Sequence, residues 1–283
     1  MNEVLQVTGL EKHYPGFQLQ NVSFSLEAGT ITGLIGRNGA GKSTTLKALL
    51  NMVHPDGGEI RFWGKTFPQG EEEIKGQVGF VTGGVNYYPK KKLRDITAVT
   101  ARFYPTWSQE RYLDYCARFQ LDQEKSPSQL SAGMQVKYAL ALALSHRARL
   151  LILDEPTSGL DPVSREEILE VFLQLVREEG VTILFSTHIT SDLEKCAGRI
   201  LYLKKGTLRG DQPLDDFRDQ YLLAHLGEEE RTSQRQAQLI GPRPSRRGVS
   251  GLWPRDKAVP HWLTAEKATL EDVMVHLEQE GEG

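Results

Sequence analysis

The run Gly36-Arg37-Asn38-Gly39-Ala40-Gly41-Lys42-Ser43 constrains this chain more than any other feature. It fits the pattern G-x-x-x-x-G-K-[ST]. It stands between a nearly all-apolar run, Thr30-Ile31-Thr32-Gly33-Leu34-Ile35, and a helix predicted over Lys42–Asn51. A short apolar run of that kind suits a strand buried on both faces of a parallel sheet. Strand, glycine-rich turn and helix in that order make a phosphate-binding loop. The glycines let backbone N–H groups wrap an anion without side-chain collision, and the helix start adds about half a positive charge. Gly36, Asn38, Gly39 and Gly41, with Lys42, Ser43 and Thr44, are the nucleotide-binding candidates. Lys42 is expected to reach the β- and γ-phosphates, and Ser43 to ligate Mg²⁺.

A phosphate loop alone admits a kinase, a GTPase or an ATPase, so a second group of residues has to decide. Leu150-Leu151-Ile152-Leu153 reads as another buried strand, and it ends in Asp154-Glu155-Pro156. Acids at the carboxyl end of a parallel strand sit where such sheets bind ligands. Asp154 is the candidate for the Mg²⁺ shell beside Ser43. Glu155, one residue further on, suits polarising a water, a role worth roughly 10² to 10⁴ in rate. A third buried strand, Val181–Phe185, leads through Ser186-Thr187 to His188. One strand–helix–strand step from Asp154 brings His188 to the same phosphates, where it can hydrogen-bond the γ-phosphate. Glu155 and His188 are the catalytic candidates.

Around these lie further elements. Val4–Thr8, Leu19–Leu26 and Gly58–Trp63 read as strands. Residues from about 88 to 149 carry helical spacing, as in Asp95–Phe103 and Gln109–Phe119. Asp161 is a predicted N-cap before Pro162, opening a helix to about Glu179. Ser191 and Glu194 match a capping box that predicts another helix start, and a hairpin is expected around Gly206. Ser131, in Gln129-Leu130-Ser131-Ala132-Gly133-Met134-Gln135, is a predicted N-cap as well. A serine and a small glycine at a helix start make a second anion site. One ATP needs only one phosphate loop, so this second site makes sense if it faces a nucleotide held by another copy. Past Asp211 the composition shifts, with Glu228-Glu229-Glu230 and Gly241-Pro242-Arg243-Pro244. A closing amphipathic helix follows, with Thr269 as N-cap, Asp272 three residues on, and Leu270, Val273, Met274 and Leu277 on one face. Trp253 and Trp262 either pack a small core there or meet a partner.

Composition sets the remaining limits. With 39% hydrophobic and 25% charged residues the chain has material for a real core. Its net charge of -3 is too balanced for a general nucleic-acid binder. Two cysteines, Cys116 and Cys196, form no framework, which fits a reducing cytosol. The opening Met1-Asn2-Glu3-Val4-Leu5 has no basic or apolar leader character. The most apolar stretch, Tyr138–Leu144, is far too short to cross a bilayer.

In this order and spacing, the phosphate loop, Leu130-Ser131-Ala132-Gly133-Met134-Gln135, Leu150–Pro156, Ser158-Gly159-Leu160-Asp161 and His188 resemble the motifs of ATP-binding-cassette (ABC) ATPases. The resemblance covers about residues 3 to 210. It implies an α/β P-loop NTPase with a RecA-like parallel sheet, an antiparallel β subdomain and a helical subdomain at about 88–149. Residues 1–210 would form the nucleotide-binding domain, and 211–283 a small C-terminal accessory α+β region. It also implies ATP and Mg²⁺ as cofactors and a head-to-tail dimer with a second ABC subunit, either identical or different. Ser131 and Gly133 would contact the partner's ATP, Asp161 would line the dimer seam, and Tyr14 would stack on the adenine. The chain would be a peripheral subunit on the cytoplasmic face of the cell membrane, docked on integral membrane transporter subunits. Asn86-Tyr87-Tyr88-Pro89 with Lys90-Lys91-Lys92 is the expected docking surface. The short signature and the Ala268–Val273 helix are similar to single-cassette ATPases of bacterial ABC-2-type exporters, relatives of bacitracin-resistance transporters among them.

The sequence departs from the family pattern in two places. Gly83 stands where a glutamine is usual, and in the signature Ala132 is a mild change while Met134 removes an amide donor. Slower hydrolysis is the expectation, since Lys42, Glu155 and His188 remain. A soluble ABC protein acting outside transport and a slow ATP-sensing regulatory module are the alternative readings, and no nucleic-acid partner is expected.

Overall fold

The computed structural model describes residues 3–82, 88–246 and 248–280. Two compact units meet after Asp211 in the sequence. The first runs β1 (Glu3–Tyr14), β2 (Phe17–Glu27), β3 (Ile31–Ile35), α1 (Lys42–Leu49), β4 (Gly57–Phe62), α2 (Phe67–Gln77) and β5 (Val78–Thr82). It continues with α3 (Leu93–Ala101), α4 (Gln109–Arg118), α5 (Ala132–Ser145), β6 (Leu150–Asp154), α6 (Pro162–Glu179) and β7 (Thr182–Thr187). Then come α7 (Thr190–Cys196), β8 (Arg199–Lys204) and β9 (Thr207–Pro213).

The apolar runs that read as buried strands lie at the centre of a sheet of order β5-β6-β7-β3-β8-β9. Its five strands from β5 to β8 pair in parallel. Every residue of β3 and β7 is buried, which explains why their sequences do not alternate. Gly33 has a packing reason: a Cβ there would lie 1.9 Å from a Leu193 methyl, so the glycine lets α7 close onto β3. The antiparallel sheet β2-β1-β4 does alternate. Val7 and Leu10 of β1 oppose Phe24 and Val22 of β2, and pack into one core with Leu46 and Leu49 of α1 and Ile152 and Leu184 of the parallel sheet. Between β5 and β6 the chain leaves the sheet for α3, α4 and α5. Tyr112 and Tyr138 are fully buried there, and the Tyr138 hydroxyl donates to the Leu93 carbonyl at 3.1 Å.

Two local features differ from the sequence reading. Residues 67–77 form a helix that the sequence does not announce: it holds two glycines, kinks at Gly70 and buries only Phe67 and Ile74. The box expected from Ser191 and Glu194 does not form. The N-cap is Ile189, with no side-chain cap, and the helix starts at Thr190. The Thr187 hydroxyl takes the Ile189 N–H at 3.0 Å and turns the chain two residues early.

The second unit holds α8 (Leu214–Asp219), β10 (Tyr221–Leu226), α9 (Ser233–Gln236), β11 (Ile240–Ser245), β12 (Gly248–Pro254), β13 (Thr264–Lys267) and α10 (Leu270–Gln279). Its antiparallel sheet has the order β11-β12-β10-β13. The cap read from sequence is made in full: Asp272 donates its N–H to the Thr269 hydroxyl at 3.1 Å and takes the Thr269 N–H at 2.9 Å. Trp253 is buried with Ala224, Leu226 and Val249, and stacks edge-on against Trp262 at 6.3 Å. The tryptophans build a core. No helix among the described residues is long and apolar enough to cross a membrane.

Candidate nucleotide site

The glycine turn between β3 and α1 is shaped by conformation and by crowding together. Gly39 and Gly41 have φ of +83° and +110°, in the left-handed region that glycine alone enters at little cost. At Gly41 a Cβ would also lie 2.7 Å from the Phe17 ring. Gly36 approaches the backbone of β8 so closely that a Cβ would meet the Leu203 carbonyl oxygen at 2.2 Å. Lys42, 6% exposed, then points back into the turn, and its ammonium donates to the Gly36 carbonyl at 2.8 Å. Burying that charge requires compensation. Glu155 supplies it, with Oε1 at 3.3 Å from Nζ.

Sheet register brings the acids to this turn. β6 and β7 pair so that Asp154 stands beside Ser186. The Ser186 hydroxyl donates to Asp154 Oδ1 at 2.6 Å and accepts the Glu155 N–H at 2.9 Å. Asp154 Oδ1 also accepts from Ser43 Oγ at 3.1 Å, which joins the phosphate loop to the acid strand. Glu155 itself has φ of +51°, a conformation costly for a residue with a Cβ and held here by the Ser186 bond. From that turn its second oxygen meets His188 Nδ1 at 2.8 Å. Glu155 therefore spans Lys42 on one side and His188 on the other.

Of these side chains, Lys42, Ser43, Glu155 and His188 line a cavity of about 560 Å³, whereas Asp154 and Ser186 are not on its wall. Asn38, Gly39, Gly41, Lys42, Ser43, Thr44, Glu155 and His188 all lie on its wall, as do Ser158 of the Ser158–Asp161 motif and Gly16 and Phe17, which the sequence did not single out. Phe17 and Gly16 enter because the tight turn from β1 to β2 folds over the phosphate loop. Tyr14 pairs with Phe17 across that turn, is 42% exposed, and lies outside the lining. Gly36 is behind the wall rather than on it, and serves through its carbonyl.

The other predicted residues lie apart from the cavity. Ser131 caps α5 by accepting the Met134 N–H at 3.2 Å. Gly133 is buried, and a Cβ on it would approach the Ser164 Cβ of α6 to 3.2 Å. Asp161 caps α6, accepting the N–H groups of Val163 at 3.0 Å and Ser164 at 3.1 Å. Hydrogen bonds from the Ser164 hydroxyl and N–H, then from Val163, hold its carboxyl below the usual range. Gly83, Asn86 and Tyr87 lie outside the described residues. Of the neighbouring positions, Tyr88 is exposed and Lys92 pairs with Glu124 at 2.8 Å.

A phosphate loop at the carboxyl ends of parallel strands, beside an aspartate, a glutamate and a histidine, is the arrangement of a P-loop NTPase. A profile of the ABC transporter family matches residues 19–158. The bacitracin transport ATP-binding protein BcrA of Bacillus licheniformis is 30% identical over 221 residues, which are 77% of this chain and 72% of that protein. A solved ATP-binding subunit of an ABC transporter is similar with a TM-score of 0.68 and 30% identity, over 77% of this chain and 92% of that one. A dimeric post-hydrolysis ATP-binding cassette bound to ADP and Pi is similar with a TM-score of 0.65 and 26% identity, over 74% and 98%. The chain belongs to the ABC transporter ATP-binding family, and it is an ATP-binding subunit of that kind.

Proposed function

We propose that this chain hydrolyses ATP to drive transport, in the export direction, through separate integral membrane subunits on which it docks as a peripheral protein at the cytoplasmic face. The observation that carries the reading is the placement of Glu155 between Lys42 and His188 in one cavity. Lys42 gives a fixed positive charge for the β- and γ-phosphates, aided by the N-terminus of α1. Glu155 takes a proton from the attacking water, and His188 holds its carboxylate and reaches the γ-phosphate. Ser43 Oγ and the Asp154 carboxylate, already in hydrogen-bond contact, form a set of hard oxygen donors that fits Mg²⁺. When bound, that ion would neutralise charge on the phosphate oxygens.

Two copies are proposed to pair head to tail, so that Ser131 and Gly133 of each complete the site of the other, with Asp161 at the seam. Support comes from the separation of those residues from the cavity within one chain, and from the dimeric relative bound to ADP and Pi. The transport reading draws on the relative named for bacitracin transport. Purifying the tagged chain from detergent-solubilised membranes tests it: a hydrophobic polypeptide with membrane spans should come along. Recovery with ribosomes or DNA instead would point to the non-transport alternative.

Phe17 is proposed to share the adenine contact with Tyr14, because its ring lies on the cavity wall. Phe17→Ala should weaken ATP binding about tenfold, the size of one lost stacking contact. Titration with ATP measures it against Tyr14→Ala, and a larger loss from Tyr14→Ala assigns the base to Tyr14 alone.

A further inference from the structure

Asp192 lies on α7, four residues after His188, and is fully buried. Its Oδ2 accepts a hydrogen bond from the Thr157 hydroxyl at 2.6 Å, and Thr157 follows Glu155 by two residues. The other oxygen, Oδ1, has no hydrogen-bond partner among the described residues. Facing it at 3.9 Å is Arg165 Nε of α6, a buried atom without a hydrogen-bond partner on a side chain that is otherwise 27% exposed. A buried acid kept only for packing has both oxygens satisfied, because each open one costs free energy. Here two opposite charges stand about 0.7 Å beyond ordinary hydrogen-bond range, and Nε and Oδ1 each lack the bond the other would make.

The elements that carry these charges reach two different places. The first turn of α6 is capped by Asp161, and its Ser164 packs against Gly133 at the start of α5. Arg165 is the next residue. Asp192, on the other side of the gap, is tied through Thr157 to the strained turn at Glu155, and by chain continuity to His188. We infer that Arg165 and Asp192 form a positioning latch, by which the face carrying Ser131, Gly133 and Asp161 sets the geometry of Glu155 and His188 in the same chain. The inference rests on the two-copy reading above. A partner's triphosphate pressing on the start of α5 would shift the first turn of α6. A displacement of about 1 Å closes the Arg165–Asp192 bond and draws Thr157 with it. Each site would then hydrolyse only when its own chain also caps the other nucleotide. Lys195, which pairs with Glu166, keeps α7 beside α6 throughout.

The test is a double-mutant cycle on the full chain, reading kcat, KM for ATP and thermal midpoint for Asp192→Asn, Arg165→Gln and the pair. Each single substitution should lower kcat about tenfold, with KM within about twofold, and the pair should be no slower than either alone. Thr157→Ser should keep wild-type kcat, while Thr157→Val should match Asp192→Asn. Losses that add, or that follow the midpoint downward, would mean that Asp192 serves stability alone and would overturn the latch. So would a wild-type kcat in both single variants. Dimerisation of a Glu155→Gln chain with Mg·ATP is measured alongside. If that dimer fails to form, the two-copy reading falls and the latch with it. If it forms while the cycle shows no coupling, only the latch is wrong.

Discussion

Lys42→Ala is expected to weaken ATP binding about 100-fold, the equivalent of roughly two charge-assisted hydrogen bonds. The ammonium is 6% exposed and held by the Gly36 carbonyl and by Glu155. A side chain so fixed loses little further freedom when a triphosphate arrives, so most of its attraction appears as affinity. Alanine takes away that charge and leaves Glu155 in the cavity with His188 as its partner, turning the local field against an anion. Isothermal titration of the variant with ATP measures the effect. An unchanged affinity would show that the phosphates bind somewhere other than this loop.

Glu155→Gln should lower kcat by about 10² to 10⁴, the range for removal of a general base. ATP binding should be kept or tightened. Glutamine retains the shape and one acceptor oxygen, while it removes a negative charge that would stand near the γ-phosphate and that now occupies Lys42. Loss of turnover together with retained affinity separates a chemical role from a structural one. Turnover at the wild-type rate would transfer the base to another group, and Asp154 is then the nearest acid in sequence.

Much of this site is legible in the chain because its parts are local. The runs of β3, β6 and β7 are buried on both faces, so each announces itself as a mostly apolar stretch that leads directly into the site, at Gly36, Asp154 and Ser186. The caps at Ser131, Asp161 and Thr269 are side-chain-to-backbone bonds within three residues, and all three form where they were expected. Residues that act across the fold are less visible. Phe17 lies just before the strand read at Leu19–Leu26, and only the return of β1 into β2 brings it over Gly41. Ser186 looks like a strand terminus until the β6–β7 register puts it against Asp154 and Glu155. Asp192 resembles a solvated acid in the first turn of a helix, yet it is fully buried and faces Thr157 and the α6 residue Arg165. The helix at 67–77 eluded the pattern for a different reason. It buries too few side chains to show a period, and its capping box uses Gln69, which precedes a glycine rather than an apolar run.

The departures in the signature also take on a physical meaning. Met134 contributes its backbone N–H to the Ser131 cap, and that bond does not depend on its side chain. Ala132 likewise keeps the helix start intact, so substitution there leaves the N-terminal end of α5 in place. Gly133 is the position where space is short, because α6 lies against it.

The central claim is that two copies of the chain enclose the nucleotides, each cradling one and capping the other. Light scattering on the Glu155→Gln chain with saturating Mg·ATP tests it most directly. The account predicts a mass twice that of the single chain with ATP and a return to the single mass with ADP. A single-chain mass under saturating Mg·ATP, with the nucleotide shown to be bound, would contradict it.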